Sequence, residues 1–273
     1  MIGFLLLSAR LFLKFSKLSK HARFDLYPIP KEGGGRGVYG GSYFEETEWW
    51  TKERQFDHAA ETKDVMKEML FIRKLFIYQR SLWTPSFLFH AGIYIMFGWS
   101  VLLVIAAFWH PAPLVIFVDI VGIVGFAFSL AGALMLLYRR LTNKALQVYT
   151  TFAEYFNLVL VLLVLTSGVY VWTAYVNPIV LAHGVLTLGF EQMPFAVAAH
   201  LVLLGIMLLY IPLSKMGHYA GKFFSFRSVL WDNAPNTPGS KVDRDVRASA
   251  AQPATSQWSA PHTRPVSSDE SEG

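Results

Sequence analysis

Residues His200–His218 read HLVLLGIMLLYIPLSKMGH, an apolar run that begins and ends with a histidine. The two histidines are 18 residues apart, which corresponds to five full turns of an α-helix and about 27 Å along its axis. The hydrocarbon core of a bilayer is about 30 Å thick. We therefore expect one continuous membrane-spanning helix that carries both imidazoles on one face, with one imidazole near each side of the membrane.

Two interpretations of this pair follow from the chemistry of histidine. A neutral imidazole inside a helix bundle is a good axial ligand for haem iron, and two at different depths predict a path for electrons across the membrane. The alternative is that each histidine is a polar side chain within reach of headgroups or water.

Composition places the chain in the membrane and excludes several functions. Hydrophobic residues make up 53% of the chain and charged residues 16%, which is typical of an integral membrane protein. The sequence has no cysteine, so the chain cannot bind a thiolate-ligated iron–sulfur cluster, form a disulfide or attach a c-type haem. The net charge of +5 gathers beside apolar spans, so we predict no nucleic-acid binding.

Four apolar stretches are long enough to cross a bilayer. The basic residues lie at one end of these spans, whereas the loops at 109–112 and 177–193 contain no lysine or arginine. The positive-inside rule therefore predicts that the basic loop and the C-terminus are cytoplasmic, in a cell inner membrane. The predicted spans are 85–108, 113–138, 154–176 and 194–213, and the basic loop holds Arg139, Arg140 and Lys144.

The rest of the chain divides at changes in composition. Residues 1–20 predict a partial first transmembrane helix, with a signal-like start or an interfacial helix as alternatives. Residues 21–84 predict a cytoplasmic glycine-rich loop followed by an amphipathic helix at about 61–79. Residues 85–227 form the predicted all-α bundle, and 228–273 a disordered cytoplasmic tail. The apolar face of the amphipathic helix is Val65, Met69, Ile72 and Phe76, and aromatic residues that predict contact with a soluble partner are Tyr39, Tyr43, Phe44, Trp49 and Trp50.

The topology brings two histidines to the same depth. His90 lies near the inner edge of the first full span, and His218 lies at the inner end of the last span, which runs the opposite way. We expect these antiparallel helices to hold one haem between the two histidines. Glycines at 92, 98 and 205 would leave room for a flat macrocycle, although small residues serve helix packing equally well.

His200 needs a second histidine at its own depth. His110 is 20 residues after His90, about 200° around an ideal helix, so the two face opposite sides. We therefore interpret His110, which precedes Pro111, as an interfacial residue more readily than as an outer haem ligand. His183 in the outer loop is another candidate.

Three motifs resemble the respiratory nitrate reductase gamma-subunit family of di-haem cytochromes b. They are FHAGI around His90, LLYRRLTN at 136–143 and the two-histidine run that opens this section, and the resemblance covers about residues 85–220. The family includes the membrane subunits of heterodisulfide reductase and of sulfite-reduction complexes. The resemblance implies an inner haem b at His90 and His218. It implies an outer haem at His200 and a histidine ten residues after the first.

Residue 100 is a serine in this chain, so the outer haem either uses another residue, such as His110, or is absent. The soluble segment YGGSYFEETEWW is closer to the heterodisulfide-reductase-like branch than to nitrate reductase. The resemblance therefore implies electron transfer between menaquinone or a similar quinone and a cytoplasmic iron–sulfur subunit. A nitrate reductase gamma subunit, a cofactor-free membrane anchor for a soluble enzyme and a small transporter remain alternatives.

Quinone chemistry also needs groups that accept protons. Asp119 lies inside the second full span, where an ionisable residue is a functional candidate by default. Glu154 opens the third span at its cytoplasmic end, where it could instead cap its helix or pair with Arg139 or Arg140. The arginine pair could bind haem propionates, and positive-inside anchoring explains it equally well.

Overall fold

The structure confirms an all-helical protein with four helices long and apolar enough to cross a membrane. The computed structural model describes residues 2–17, 33, 47–48, 51–52, 55–189, 192–224, 238–239 and 241–251. These residues fall into two units, Met1–Leu18 with Phe56–Arg227, and Ser19–Gln55 with Ser228–Gly273. The helices of the first unit are α1 (Ile2–Ser16), α2 (His58–Phe71), α3 (Arg73–Tyr78), α4 (Arg80–Phe108), α5 (Ala112–Thr142), α6 (Lys144–Tyr149), α7 (Phe152–Ala174), α8 (Pro178–Thr187), α9 (Phe195–Leu213) and α10 (His218–Phe224).

The membrane helices α4, α5, α7 and α9 match the four predicted spans closely. α4 and α5 have 29 and 31 residues, or about 43 and 46 Å, and both exceed the thickness of a bilayer core. α7 and α9 have 23 and 19 residues, which suits a single crossing. The short apolar helix α8 packs against α4.

α4 and α5 form a tight antiparallel hairpin because glycines let their backbones meet. A Cβ atom on Gly92 would collide with the backbone of Ser129, and one on Gly132 would collide with the backbone of Phe89. Without a hydrophobic driving force between helices in lipid, such close van der Waals packing is a main source of association. This hairpin is the most closely packed part of the bundle.

The core of the bundle is an aromatic cluster where α4, α5 and α7 meet. Trp99 on α4 donates its indole N–H to the Val118 carbonyl of α5 over 2.9 Å. Its ring lies 5.6 Å from that of Phe126 and 5.7 Å from that of Trp172. The indole N–H therefore has a partner in a place where water cannot supply one.

α7 and α9 run antiparallel, and two side-chain hydrogen bonds set their register. Tyr210 donates its hydroxyl proton to Asn157 over 2.9 Å. Further along α7, the hydroxyl oxygen of Ser167 lies 2.9 Å from the Nδ1 atom of His200. α7 in turn packs against α5, so α9 reaches the rest of the bundle mainly through α7.

The last span is not one continuous helix as far as His218, and that prediction is wrong. α9 ends at Leu213, Ser214 is extended with φ −118° and ψ −178°, and a 3-10 turn covers Lys215–Gly217 before α10 begins at His218. Pro212 gives the physical reason, because its ring removes a backbone donor and disfavours continued helix. His200 and His218 are therefore not on one face of a single helix.

The predicted amphipathic helix is two helices, α2 and α3. Ile72 separates them in the left-handed conformation, with φ 50° and ψ 50°, and its N–H closes α2 by bonding the Glu68 carbonyl. The buried face of α2 consists of Glu61, Val65 and Glu68, whereas the predicted apolar residue Phe76 is 41% exposed. The Glu68 carboxylate on this face pairs with Lys222 of α10, and the Glu61 carboxylate lies 3.3 Å from His58 of its own helix.

α1 lies along the C-terminal part of α9 and along α10, and none of its residues is buried. Ser8 and Tyr219 share a hydrogen bond of 2.6 Å between hydroxyls. The Phe12 ring lies 5.7 Å from Phe224. These contacts hold one side of α1 against α9 and α10. That α1 is part of a first transmembrane helix stays a prediction.

The second unit is described only in part. The segment predicted to be a disordered tail contains a helix, α11 (Lys241–Ala250). Asp243 and Arg247 pair over 2.9 Å one turn apart, a spacing that stabilises exposed helices. The N–H of Gly239 bonds the Asp243 carboxylate and lowers its pKa. The aromatic residues 39, 43, 44, 49 and 50 and His21 lie outside the described residues.

Candidate functional site

His90 lies in the membrane helix α4 with one ring nitrogen already used. Its Nδ1 atom is 2.7 Å from the carbonyl oxygen of Ser86, one turn earlier. A carbonyl only accepts, so Nδ1 carries the proton and Nε2 carries a free lone pair. The half-buried ring is therefore oriented by its own helix, with its ligating nitrogen directed away from that bond.

His218 also has its Nδ1 atom bonded to a backbone carbonyl, and here the break in the helix provides that carbonyl. It is the first residue of α10, and its Nδ1 atom lies 3.3 Å from the carbonyl oxygen of Lys215 in the 3-10 turn. By the same reasoning the Nδ1 atom of His218 donates and its Nε2 atom keeps the lone pair. The same carbonyl also accepts the backbone N–H of His218, so the ring and the backbone of this residue are both bonded to the 3-10 turn.

The structure brings His90 and His218 together, as the topology predicts. Their ring centres are 6.1 Å apart and their planes are inclined at 81°. Two imidazole–metal bonds of about 2 Å on opposite sides of an ion separate the nitrogens by about 4 Å, and the ring centres lie further apart than the nitrogens. The spacing therefore suits one metal ion between the two rings.

The donor set fits a haem better than a bare metal ion. Among the described residues there is no group of three or more histidine, cysteine, aspartate or glutamate side chains that could hold a metal ion. A porphyrin supplies four nitrogens itself and needs only axial ligands from the protein. Ligating histidines also commonly donate their other ring N–H to a carbonyl, as both of these do.

Helix α2 holds the helices of both histidines one turn beyond each ring. Tyr94, four residues after His90, donates its hydroxyl proton to the Met69 carbonyl over 2.8 Å. Lys222, four residues after His218, pairs with the buried Glu68 carboxylate over 2.7 Å. Neighbouring residues of α2 thus bind α4 and α10. The i, i+4 spacing of these partners from the histidines is the signal in the sequence that could have found them.

His200 lies in a different environment, packed between α9 and α7. Ser167 donates its hydroxyl proton to the Val164 carbonyl over 3.0 Å, so its oxygen accepts the Nδ1 proton of His200. A Cβ on Gly168 would lie 3.2 Å from both the His200 ring and the Phe126 ring. His200 therefore also keeps a free Nε2 lone pair, but it is surrounded by helix packing.

Within residues 55–189 and 192–224, no second histidine makes a ring contact with His200. His110 is exposed in the turn between α4 and α5. His183 on α8 is exposed and packs 5.8 Å from Phe108. Ser100 donates its hydroxyl proton to the Phe97 carbonyl of its own helix over 2.7 Å. The outer ligand pair therefore stays a prediction with only one member in place.

The three glycines expected to make room for a macrocycle differ from one another. Gly92 is in direct contact with Ser129, so it serves the α4–α5 packing and leaves no room. A Cβ at Gly98 or Gly205 would have no described atom within 4 Å. Only these two positions offer open space beside their helices.

The two acidic candidates have different surroundings. One carboxylate oxygen of Asp119, Oδ1, is buried and has no hydrogen-bond partner among the described residues. Glu154 accepts the backbone N–H of Thr151 over 2.7 Å, and so it caps the start of α7, as the structural alternative predicts. Neither carboxylate contacts His90 or His218 through a described hydrogen bond.

Comparison with known proteins gives no relative: no protein-family model, no curated protein and no solved structure matches this chain. The function therefore has to be argued from the residues of the chain.

Proposed function

We propose that this protein is a haem b membrane subunit that transfers electrons between a membrane quinone and a soluble iron–sulfur partner. The observation that carries the proposal is the meeting of His90 and His218 with both Nε2 lone pairs free. Helix α4 and the 3-10 turn fix both rings by backbone hydrogen bonds, so the pair is oriented before any ligand arrives.

The chain's own residues hold and orient the group. His90 and His218 would hold the haem iron, and α2 keeps their helices in place through Met69 and Glu68. When bound, haem b supplies a carrier that takes one electron at a time. Because the sequence has no cysteine, any iron–sulfur cluster that exchanges electrons with this site belongs to another subunit.

Quinone is the proposed membrane partner. Oxidation of a quinol releases two protons along with two electrons, so a proton acceptor is needed within the membrane. Asp119 supports this role because its buried Oδ1 atom has no described partner that would keep the carboxylate occupied. Menaquinone is the quinone that the family resemblance implies.

We propose one haem per chain. His200 has a free Nε2 atom but no described histidine opposite it, and Ser100 bonds within its own helix. A serine hydroxyl that already donates to a backbone carbonyl is no substitute for an imidazole.

The test is a spectrum with a haem count. The full chain is produced with added haem precursor and purified in detergent. A reduced-minus-oxidised spectrum and a pyridine haemochrome assay are then recorded. One low-spin b-type haem per chain supports the proposal. Two would mean that His200 has a second ligand. A colourless protein that is folded by circular dichroism would indicate a cofactor-free membrane anchor instead.

A further inference from the structure

A cavity of about 550 Å³ lies between α1 and the end of α9, next to the 3-10 turn. One wall is formed by the apolar side chains of Leu7 and Leu11 on α1, and the other by Pro212 and Leu213 on α9. These residues follow the direction of the helices and make a groove rather than a closed pocket. The cavity is open enough to admit part of an elongated apolar molecule.

Three cations stand around this apolar groove. Arg10 and Lys14 are four residues apart and share one face of α1, and Lys215 begins the 3-10 turn on the other wall. None of the three takes part in an ion pair within the part of the chain that the structure describes. Lys215 also interacts electrostatically with the Glu154 carboxylate, which is not part of the cavity lining. A guanidinium and two ammonium groups that line one cavity form a site for an anion, above all a phosphate.

α1 leaves space beside the 3-10 turn although ring contacts and the Ser8–Tyr219 hydrogen bond hold it to α9 and α10. α1 has no buried residue, and at Gly217 it meets the turn through a single close side chain, Leu11. Repulsion among Arg10, Lys14 and Lys215 opposes the approach of the two walls. An anion with an apolar body would neutralise the cations and fill the space between the walls at once.

We propose that this cavity binds the phosphate headgroup of an anionic phospholipid, with an acyl chain lying between α1 and α9. The mixed lining selects the ligand class, since a free phosphate ion leaves the apolar walls unfilled and a neutral lipid leaves the cations unpaired. Basic pockets at the membrane surface bind anionic headgroups in this way. His218, one of the two proposed haem ligands, also lines this cavity, so the test below measures haem content alongside lipid binding.

The test is lipid binding by the full chain in detergent. Short-chain phosphatidylglycerol is titrated and the thermal unfolding temperature is followed. Phosphatidylcholine of the same chain length and inorganic phosphate are titrated separately. We expect phosphatidylglycerol alone to raise the unfolding temperature. The triple variant R10Q, K14Q and K215Q should bind it at least about tenfold more weakly, because each cation near a membrane surface contributes measurably to headgroup attraction.

A matched control removes three positive charges outside the cavity, in the variant K17Q, K67Q and K144Q. It should bind phosphatidylglycerol like the unaltered chain, and an equal loss in both variants would overturn the proposal in favour of general surface charge. A second variant, Leu7→Trp, narrows the groove without changing charge and should also weaken binding.

Two further outcomes would overturn the inference. Stabilisation by inorganic phosphate equal to that by phosphatidylglycerol would make this an ion site with no lipid. Loss of haem from the triple variant, with haem kept by the control, would mean that the three cations serve the cofactor instead. Unchanged haem content alongside lost lipid binding separates this proposal from the one made above.

Discussion

His218 and His200 lie in the same apolar run, yet their surroundings differ. His218 follows a break in the helix and meets His90 at 6.1 Å. His200 lies within the regular helix α9, bonded to Ser167 and packed near Gly168. Both have a free Nε2 atom, but only His218 has a histidine opposite. Whether a histidine has a second histidine opposite it therefore depends on the neighbouring helix. The spacing of two histidines along one helix does not determine it.

The largest expected effect separates these two histidines directly. His90→Ala and His218→Ala should each abolish low-spin haem binding, because either change leaves one axial position without its imidazole. His200→Ala is the matched control and should keep the full haem content. The measurement is a pyridine haemochrome count per folded chain. Loss of half the haem from the His200 variant would show that the two sites are alike after all.

The helix break should matter nearly as much. Replacing both Pro212 and Ser214 with alanine removes a helix-breaking ring, which disfavours helix by about 3 kcal/mol, and removes the oxygen that caps the 3-10 turn. We expect α9 to continue, His218 to rotate away from His90 and most haem to be lost. Pro178→Ala, at the first position of α8, is the control because a proline there costs the helix nothing. Retained haem in the double variant would mean that the break does not place His218.

The close α4–α5 contact predicts an effect on stability rather than on the cofactor itself. Gly92→Ala should lower the free energy of unfolding by about 1–3 kcal/mol, since the added methyl group must displace the backbone at Ser129. Gly98→Ala on the same helix meets open space and should have little effect. Unfolding by sodium dodecyl sulfate in mixed micelles measures both. Equal midpoints for the two variants would contradict the packing described here.

The smallest effect concerns the contact between α2 and α10. Glu68→Gln weakens the pair with Lys222, whose side chain is 38% exposed. Solvent screening therefore limits the cost to about 1–2 kcal/mol. We expect haem to be bound but released faster on dilution into detergent. Asp64→Asn, which alters the more exposed pair with Arg73, is the control and should leave the release rate unchanged.

The four spans could be predicted from the sequence because each is an apolar run long enough to cross a bilayer, and such a run is expected to form a helix there. The pairing of His90 with His218 could be predicted because antiparallel topology places their depths together. The break at Ser214 could not be predicted from Pro212 alone, because neighbouring helices often stabilise proline within membrane helices.

Other features had no clear local signal. The turn at Ile72 places a β-branched residue in the left-handed region, which propensity disfavours. It is held by the N–H groups of Ile72 and Lys74, which donate to the carbonyl and the carboxylate of Glu68. Gly92 could equally have faced a ligand or a helix, and only the position of Ser129 decides between them.

The hairpin of α4 and α5 also sets an order of events during synthesis. Its contacts join residues close in sequence, and such contacts form early. His90 is therefore in place well before His218, which leaves the ribosome 128 residues later. At ordinary rates of elongation the delay is on the order of ten seconds. A cofactor that needs both histidines can thus be captured only after His218 has been synthesised, so chains truncated before His218 should insert into the membrane without it.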